Sequence, residues 1–222
     1  MAYTFNDQLN FLSTLLGDPN VSGDDMWPTA QRITEINNGE LQFARDAKNL
    51  REYATGTVTG SQIAVPSDWL GTYVLIIDDK VISNAREIAL QDWERYSNYA
   101  GAPPYYYFWE FSGTRYIKLI GSATTYKWYY FKRPTTALSL TTDVSIHPEE
   151  YRKASVYFAA SELLKQIGKH QESAIMNNEY SEYVMRAQGD TGRSFINKEY
   201  AQPDFGEGNI STTDIQGQGY QY

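Results

Sequence analysis

The sequence predicts an α+β protein: a helical bundle made by the two ends of the chain, with an antiparallel β sub-domain inserted between them. Three observations carry this expectation. Apolar residues recur at helical spacing in the first fifty residues and again over 148–188. Between about residues 51 and 132 the period falls towards two, and Tyr, Trp, Thr, Val and Ile dominate. Beyond residue 189 the chain becomes rich in Gly, Gln, Asn, Ser and Thr, a composition that cannot bury enough apolar area to offset its own ordering entropy. The expected units are therefore N-terminal helices over 1–50, a β-rich insertion with one short helix over 51–142, a helical pair completing the bundle over 143–189, and an extended or partner-ordered arm over 190–222.

Taken in order, residues 6–16 form a short amphipathic helix with Leu9, Leu12, Leu15 and Leu16 inward, stopped by Gly17-Asp18-Pro19-Asn20. Trp27-Pro28-Thr29 opens a second helix with Ile33, Ile36, Phe43, Ala44 and Ala47 on its apolar face. Glu40 is the misfit on that stripe, and Asn37-Asn38-Gly39 predicts a kink. Residues 53–59 read as a strand and 62–65 as its return across Gly60-Ser61. Residues 72–77 turn at Asp78-Asp79 into 80–82, and Asn84 caps a short helix reaching about Tyr96. Three aromatic strands follow over 105–111, 114–120 and 126–132, the first two joined by a Ser112-Gly113 hairpin turn.

The longest helical pattern begins at Pro148, a residue suited to a first helical position, with Glu149 and Glu150 favoured by the helix dipole. Val156, Tyr157, Ala160, Leu163, Leu164 and Ile167 form one stripe; Met176, Tyr180, Tyr183, Val184 and Ala187 form another. With Gly168 between them, the alternatives are an antiparallel pair and one long kinked helix.

The bulk numbers narrow the function. The chain has 222 residues, 41% hydrophobic and 21% charged, enough for a real core. Aromatics make up 15%, which suits β cores and protein interfaces alike. A formal charge of −8 argues against direct grip on DNA, yet fits an acidic wall past which DNA slides. Without cysteine there is no disulfide and no thiolate site. No apolar run reaches the roughly 20 residues that span a membrane, and the N-terminus lacks the basic start of a signal peptide. A soluble cytoplasmic protein is expected.

No catalytic or cofactor constellation emerges. His147 and His170 both fall at expected helix ends, where a capping or solvated role is the better reading. Glu149-Glu150 and Asp78-Asp79 are adjacent carboxylates that a helix start and a turn explain without acid–base chemistry. No phosphate loop, dinucleotide fingerprint, zinc spacing or nucleophile elbow is present, so no enzyme, metal or cofactor is expected. In the strand Tyr105-Tyr106-Tyr107-Phe108-Trp109, alternation puts Tyr105, Tyr107 and Trp109 on one face. Sheet core plus a contact to another subunit is favoured there over stacking of sugars or single-stranded nucleic acid. The aromatics Phe195, Tyr200, Phe205, Tyr220 and Tyr222 are the anchors expected of the arm on a partner.

The order of these parts resembles the head-to-tail adaptor (connector) family of tailed bacteriophages, including podovirus adaptors of the tail tubular protein A kind. The resemblance rests on Val65-Pro66-Ser67-Asp68-Trp69-Leu70, on the aromatic strands closing at Tyr129-Tyr130-Phe131-Lys132-Arg133-Pro134, and on Pro148-Glu149-Glu150-Tyr151 opening the long helical run. It covers 27–188. It implies a structural protein of the virion neck: a homo-oligomeric ring, commonly of twelve copies, assembled in the bacterial host cytoplasm. Such a ring binds the portal protein, offers a surface to a tail or nozzle protein, and lets double-stranded DNA pass without sequence-specific binding. The competing reading is an aromatic-rich module of a tail or baseplate that binds glycans or a receptor.

Overall fold

The computed structural model describes residues 3–17, 26–82 and 105–197, with side chains as far as 190. The chain is α+β: four helices and seven strands in two antiparallel sheets among the described residues. The expected short helix after Asn84 lies outside them.

Helix α1 (Phe5–Leu16) starts with a reciprocal cap. Thr4 Oγ1 accepts from the Asp7 amide, and the Asp7 carboxylate accepts from the Thr4 amide at 2.8 Å, which satisfies donors that a helix start leaves bare. Helix α2 (Thr29–Ala47) begins directly after Pro28 and buries Ile36, Gly39, Glu40, Phe43, Ala44 and Ala47. Through Asn37-Asn38-Gly39, where the sequence predicts a kink, α2 continues as one helix. Those residues serve contacts instead. Asn37 pairs with the backbone of Leu138 through both its amide groups, at 3.0 and 2.7 Å. Gly39 lies against the backbone of Ser155, where a Cβ would sit 2.4 Å from the Ser155 carbonyl oxygen.

Pro148 leads into a single 3₁₀ turn, Glu149–Tyr151, rather than the first turn of the long helix. The tighter turn lets His147 and Tyr151 both face the Phe43 ring, at 5.0 and 6.0 Å between centroids. Helix α3 (Ala154–Gln166) follows, then α4 (His170–Asn197), with Gly168 at φ 76° between them. They are two helices in antiparallel contact. Ser161 meets Ser173 at 3.1 Å, Phe158 meets Tyr180 at 5.4 Å, Tyr157 meets Tyr183 at 5.8 Å, and Tyr151 donates to Asp190. Helix α3 packs on α1, α2 and α4, which is why small residues (Ala154, Ser155, Ala159, Ala160, Ser161) are buried around it. Tyr157 is only half-buried and Ile167 is exposed, so the inner stripe is narrower at its ends than the sequence suggests.

The β region is a sandwich. One sheet has the order β1-β7-β3-β4, with β1 Arg51–Thr57, β3 Trp69–Ile77, β4 Lys80–Ile82 and β7 Thr125–Lys132. The other has the order β2-β6-β5, with β2 Gln62–Ala64, β5 Tyr105–Phe111 and β6 Thr114–Ile120. Their inner faces share a core of Ile63, Leu75, Ile77, Ile82, Tyr106, Ile117, Leu119, Trp128 and Tyr130. The turns at Asp78-Asp79 and Ser112-Gly113 hold positive φ at both central residues, the geometry a two-residue hairpin requires. The expected hairpin of 53–59 with 62–65 does not form. Beyond one bridge between Thr59 and Gln62, β1 pairs with β7 along its whole length and β2 pairs with β6. The turn at Gly60-Ser61 carries the chain from one sheet to the other.

Candidate interaction surfaces

The segment Val65-Pro66-Ser67-Asp68-Trp69-Leu70 is a structural clamp between the sheets. The Val65 amide donates to the Arg115 carbonyl on β6, and the Trp69 amide closes a turn onto the Pro66 carbonyl. Asp68 accepts from the Tyr130 hydroxyl at 3.0 Å, while Arg133 holds the Ser67 and Asp68 carbonyls. The Trp69 ring meets Phe108 and Trp128, and the Arg115 guanidinium lies 5.4 Å over it. Burial and the Asp68 carboxylate both push the Tyr130 hydroxyl pKa upward, so it stays a donor. Proline sets the turn, aspartate accepts, and tryptophan fills the seam.

The three aromatics expected to form an exposed contact do not share one environment. Tyr105, Tyr107 and Trp109 lie on the same face of β5 and pair with Ile120, Lys118 and Tyr116. Tyr107 is nonetheless buried, and burial raises its hydroxyl pKa. Tyr105 is half-buried, and Trp109 is 40% exposed. The face therefore opens only towards its Trp109–Phe111 end. Tyr106 and Phe108, on the opposite face, join the sandwich core. Of the arm residues, Phe195 lies within α4, which continues to Asn197 and so runs into the span expected to be an extended arm. Tyr200, Phe205, Tyr220 and Tyr222 lie outside the described residues.

Two features escaped the sequence reading. The first is a buried polar cluster where α1, α2, α3 and the connector before Pro148 meet. Glu40 accepts from the Ser145 hydroxyl at 2.5 Å and from the Gln8 amide at 3.1 Å. Gln8 also reaches the Ser155 hydroxyl and the Arg152 carbonyl. His147 is fully buried, neither a cap nor solvated. Its Nε2 lies 3.1 Å from the Glu40 carbonyl oxygen and 3.7 Å from the Glu40 carboxylate. A carbonyl only accepts, so Nε2 is the donor. Desolvation pulls the His147 pKa below its ordinary 6.5, against the opposing pull of Glu40. The cluster has Ser, His and Glu, but it is sealed, and it fastens the connector to the helices. The signal was present as a carboxylate on an apolar stripe and as Ser145 and His147 alternating with outward Val144 and Ile146.

The second is the outer face of the β1-β7-β3-β4 sheet. Arg51, Tyr53 and Thr55 pair across with Phe131, Tyr129 and Lys127, which places all six on the side away from the sandwich core. Tyr53 is 62% exposed and Tyr129 40%. Their rings stand 6.1 Å apart, and Tyr73 stands 5.6 Å from Phe131. Cations border them: Arg51 lies 5.4 Å over Tyr73 and Lys48 5.9 Å over Phe131. The surface suits protein contact, because tyrosine gives large contact area with few rotamers to freeze and arginine is enriched with it at interfaces.

Among the described residues no group of three or more His, Cys, Asp or Glu side chains could hold a metal ion, and no helix is long and apolar enough to cross a membrane. No curated protein matches the chain. A protein-family model does, across the helices and both sheets alike. Its match spans residues 3–198 and its description is SU10 adaptor protein, so the chain belongs to that family of structural adaptor proteins of bacteriophage virions.

Proposed function

We propose that this adaptor forms a ring, of twelve copies, beneath the portal of the phage capsid in the virion neck, after synthesis in the host cytoplasm. The observation that carries the reading is the family match over nearly the whole described fold. An adaptor of this family meets the portal on one side and tail components on the other. The ring extends the DNA channel and presents a docking surface to the tail or nozzle, in the manner of podovirus adaptors of the tail tubular protein A kind. The charge of −8 supports passage of double-stranded DNA without adhesion, because an acidic lumen repels the phosphate backbone. Residues 198–222 are the portal anchor. The spaced Phe195, Tyr200, Phe205, Tyr220 and Tyr222 are the adaptor's contacts to the portal, and Tyr105, Tyr107 and Trp109 serve a neighbouring subunit or the tail.

Electron microscopy of the protein mixed with the portal from its own genome tests this. Full-length chain should add a ring of density beneath the portal. Chain lacking 198–222 should keep its circular dichroism spectrum and lose the ring. A folded full-length protein that ignores the portal would instead favour the glycan- or receptor-binding module.

A further inference from the structure

The geometry points to the contact that closes the ring: the outer face of the β1-β7-β3-β4 sheet of one protomer receives the outward stripe of helix α4 of the next. This rests on the ring reading and names the surfaces that make it. The sheet face is open to solvent at Tyr53, Tyr129 and Val81, which lie on β1, β7 and β4. Its outward cations are Arg51 and Lys127, with Lys48 at its border; of the carboxylates at its edges, Asp79 lies 3.3 Å from Lys127 and Glu52 lies 3.0 Å from Lys132.

Helix α4 carries the complement. Its inward stripe, Ser173, Tyr180 and Ala187, is buried against the protomer. The opposite stripe holds Ile175 (57% exposed), Glu179, Glu182, Met185 (62% exposed) and Arg186, spaced as one helical face. Glu182 pairs with Arg186 within the helix, whereas Glu179 has no ion pair among the described residues. Two aliphatic side chains thus flank carboxylates, facing aromatics flanked by cations.

The spacing agrees as well. Ile175 and Met185 are ten residues apart, about 15 Å along a helix at roughly 1.5 Å per residue. Val81 and Tyr53 stand on strands three steps apart, about 14 Å at roughly 4.8 Å per step. Because the two faces differ, each protomer offers both, and such a heterologous contact propagates until rotation closes it into a ring. It also gives a use to apolar surface that a lone protomer leaves in water.

The chain has no cysteine, so introduced thiols report cleanly. Protein carrying Tyr53→Cys is mixed with protein carrying Ile175→Cys or Met185→Cys, with and without the portal, and treated with a short bismaleimide. We expect a cross-linked dimer in at least one mixture and none in any single-variant sample. A double variant should give a ladder ending at the ring size. Tyr129→Asp, at an exposed site, should leave circular dichroism unchanged and weaken protomer association about thirtyfold, the loss of one interface hot spot. Rings visible by microscopy that yield no cross-link in either mixture would overturn this contact and leave the ring reading standing. Self-cross-linking of the Tyr53→Cys protein would overturn it too, since like faces would then meet. A protein that forms no ring under any of these conditions would defeat both.

Discussion

At the scale of single residues, two positions show how packing decides what a side chain is for. Gly39 sits inside a helix, where glycine costs roughly 1 kcal/mol relative to alanine. Propensity alone makes Gly39→Ala stabilising. The Ser155 carbonyl oxygen, 2.4 Å from where that methyl would lie, reverses the sign. We expect Gly39→Ala to cost about 1–3 kcal/mol net by forcing α2 and α3 apart, read from urea unfolding. A gain in stability would show that the helices relax without penalty. His147 makes the second case. Its pKa is depressed in the folded chain, chiefly by burial, and Glu40 and Arg152 are the charged groups acting on it. The unfolded chain therefore binds a proton more readily, and stability falls as the pH drops below 6.5. The slope from this one group is at most about 1.4 kcal/mol per pH unit, and it vanishes above that range. His147→Asn should remove that part of the slope between pH 6.5 and 5 in denaturant titrations. An unchanged profile would place the proton uptake elsewhere.

Elements answer to different cores. The sandwich core, centred on Trp128, shares no residue with the clusters around Leu163 and Phe43 that hold the helices. Trp128→Ala should cost about 3–5 kcal/mol and abolish the near-ultraviolet signal of the packed sheets while leaving most helical ellipticity. Leu163→Ala should cost about 2–5 kcal/mol and act first on the helices. One shared transition, lost equally by both variants at all wavelengths, would mean the two parts unfold as a unit. Tyrosine–carboxylate bonds lock the elements within this scheme. Tyr180 donates to Asp46 at 2.6 Å and ties α4 to the end of α2. Tyr151 donates to Asp190 and ties the 3₁₀ turn to α4; burial, with that carboxylate, pushes its pKa up to about 12.

For the whole molecule, the fold is a helical base and a β sandwich joined by two covalent crossings, Lys48-Asn49-Leu50 and the connector before Pro148. The connector is fastened rather than slack. The Phe5 and Asn6 amides donate to the Asp143 and Thr141 carbonyls, and the Asp143 carboxylate accepts from the Ser139 and Leu140 amides. In the proposed ring such fixed geometry would matter, because small errors in protomer angle accumulate from copy to copy. The microscopy and cross-linking experiments above therefore test assembly at the level where the protein acts.

What the sequence determined by itself is what local physics controls. Helical periodicity placed α1, α2, α3 and α4, alternation placed the strands, and Asp78-Asp79, Ser112-Gly113 and Gly168 marked their turns. Each is a choice made within a few residues, by backbone sterics and by one buried face. The motif order in 65–70, 129–134 and 148–151 likewise pointed to the adaptor family. Tertiary structure alone decided the rest. Strand partners are chosen by distant segments, so the turn at Gly60-Ser61 could not reveal that β1 would leave β2 for β7. Gly39 looked like a weak point because its partner, Ser155, is 116 positions away in the chain. Glu40 and His147 looked like a misfit and a surface histidine because their pairing exists only once α2 and the connector meet. The same holds for the exposed aromatic face. Periodicity tells that one side of a strand is apolar, but which side another sheet covers, and which is left for a neighbour, is settled only by packing.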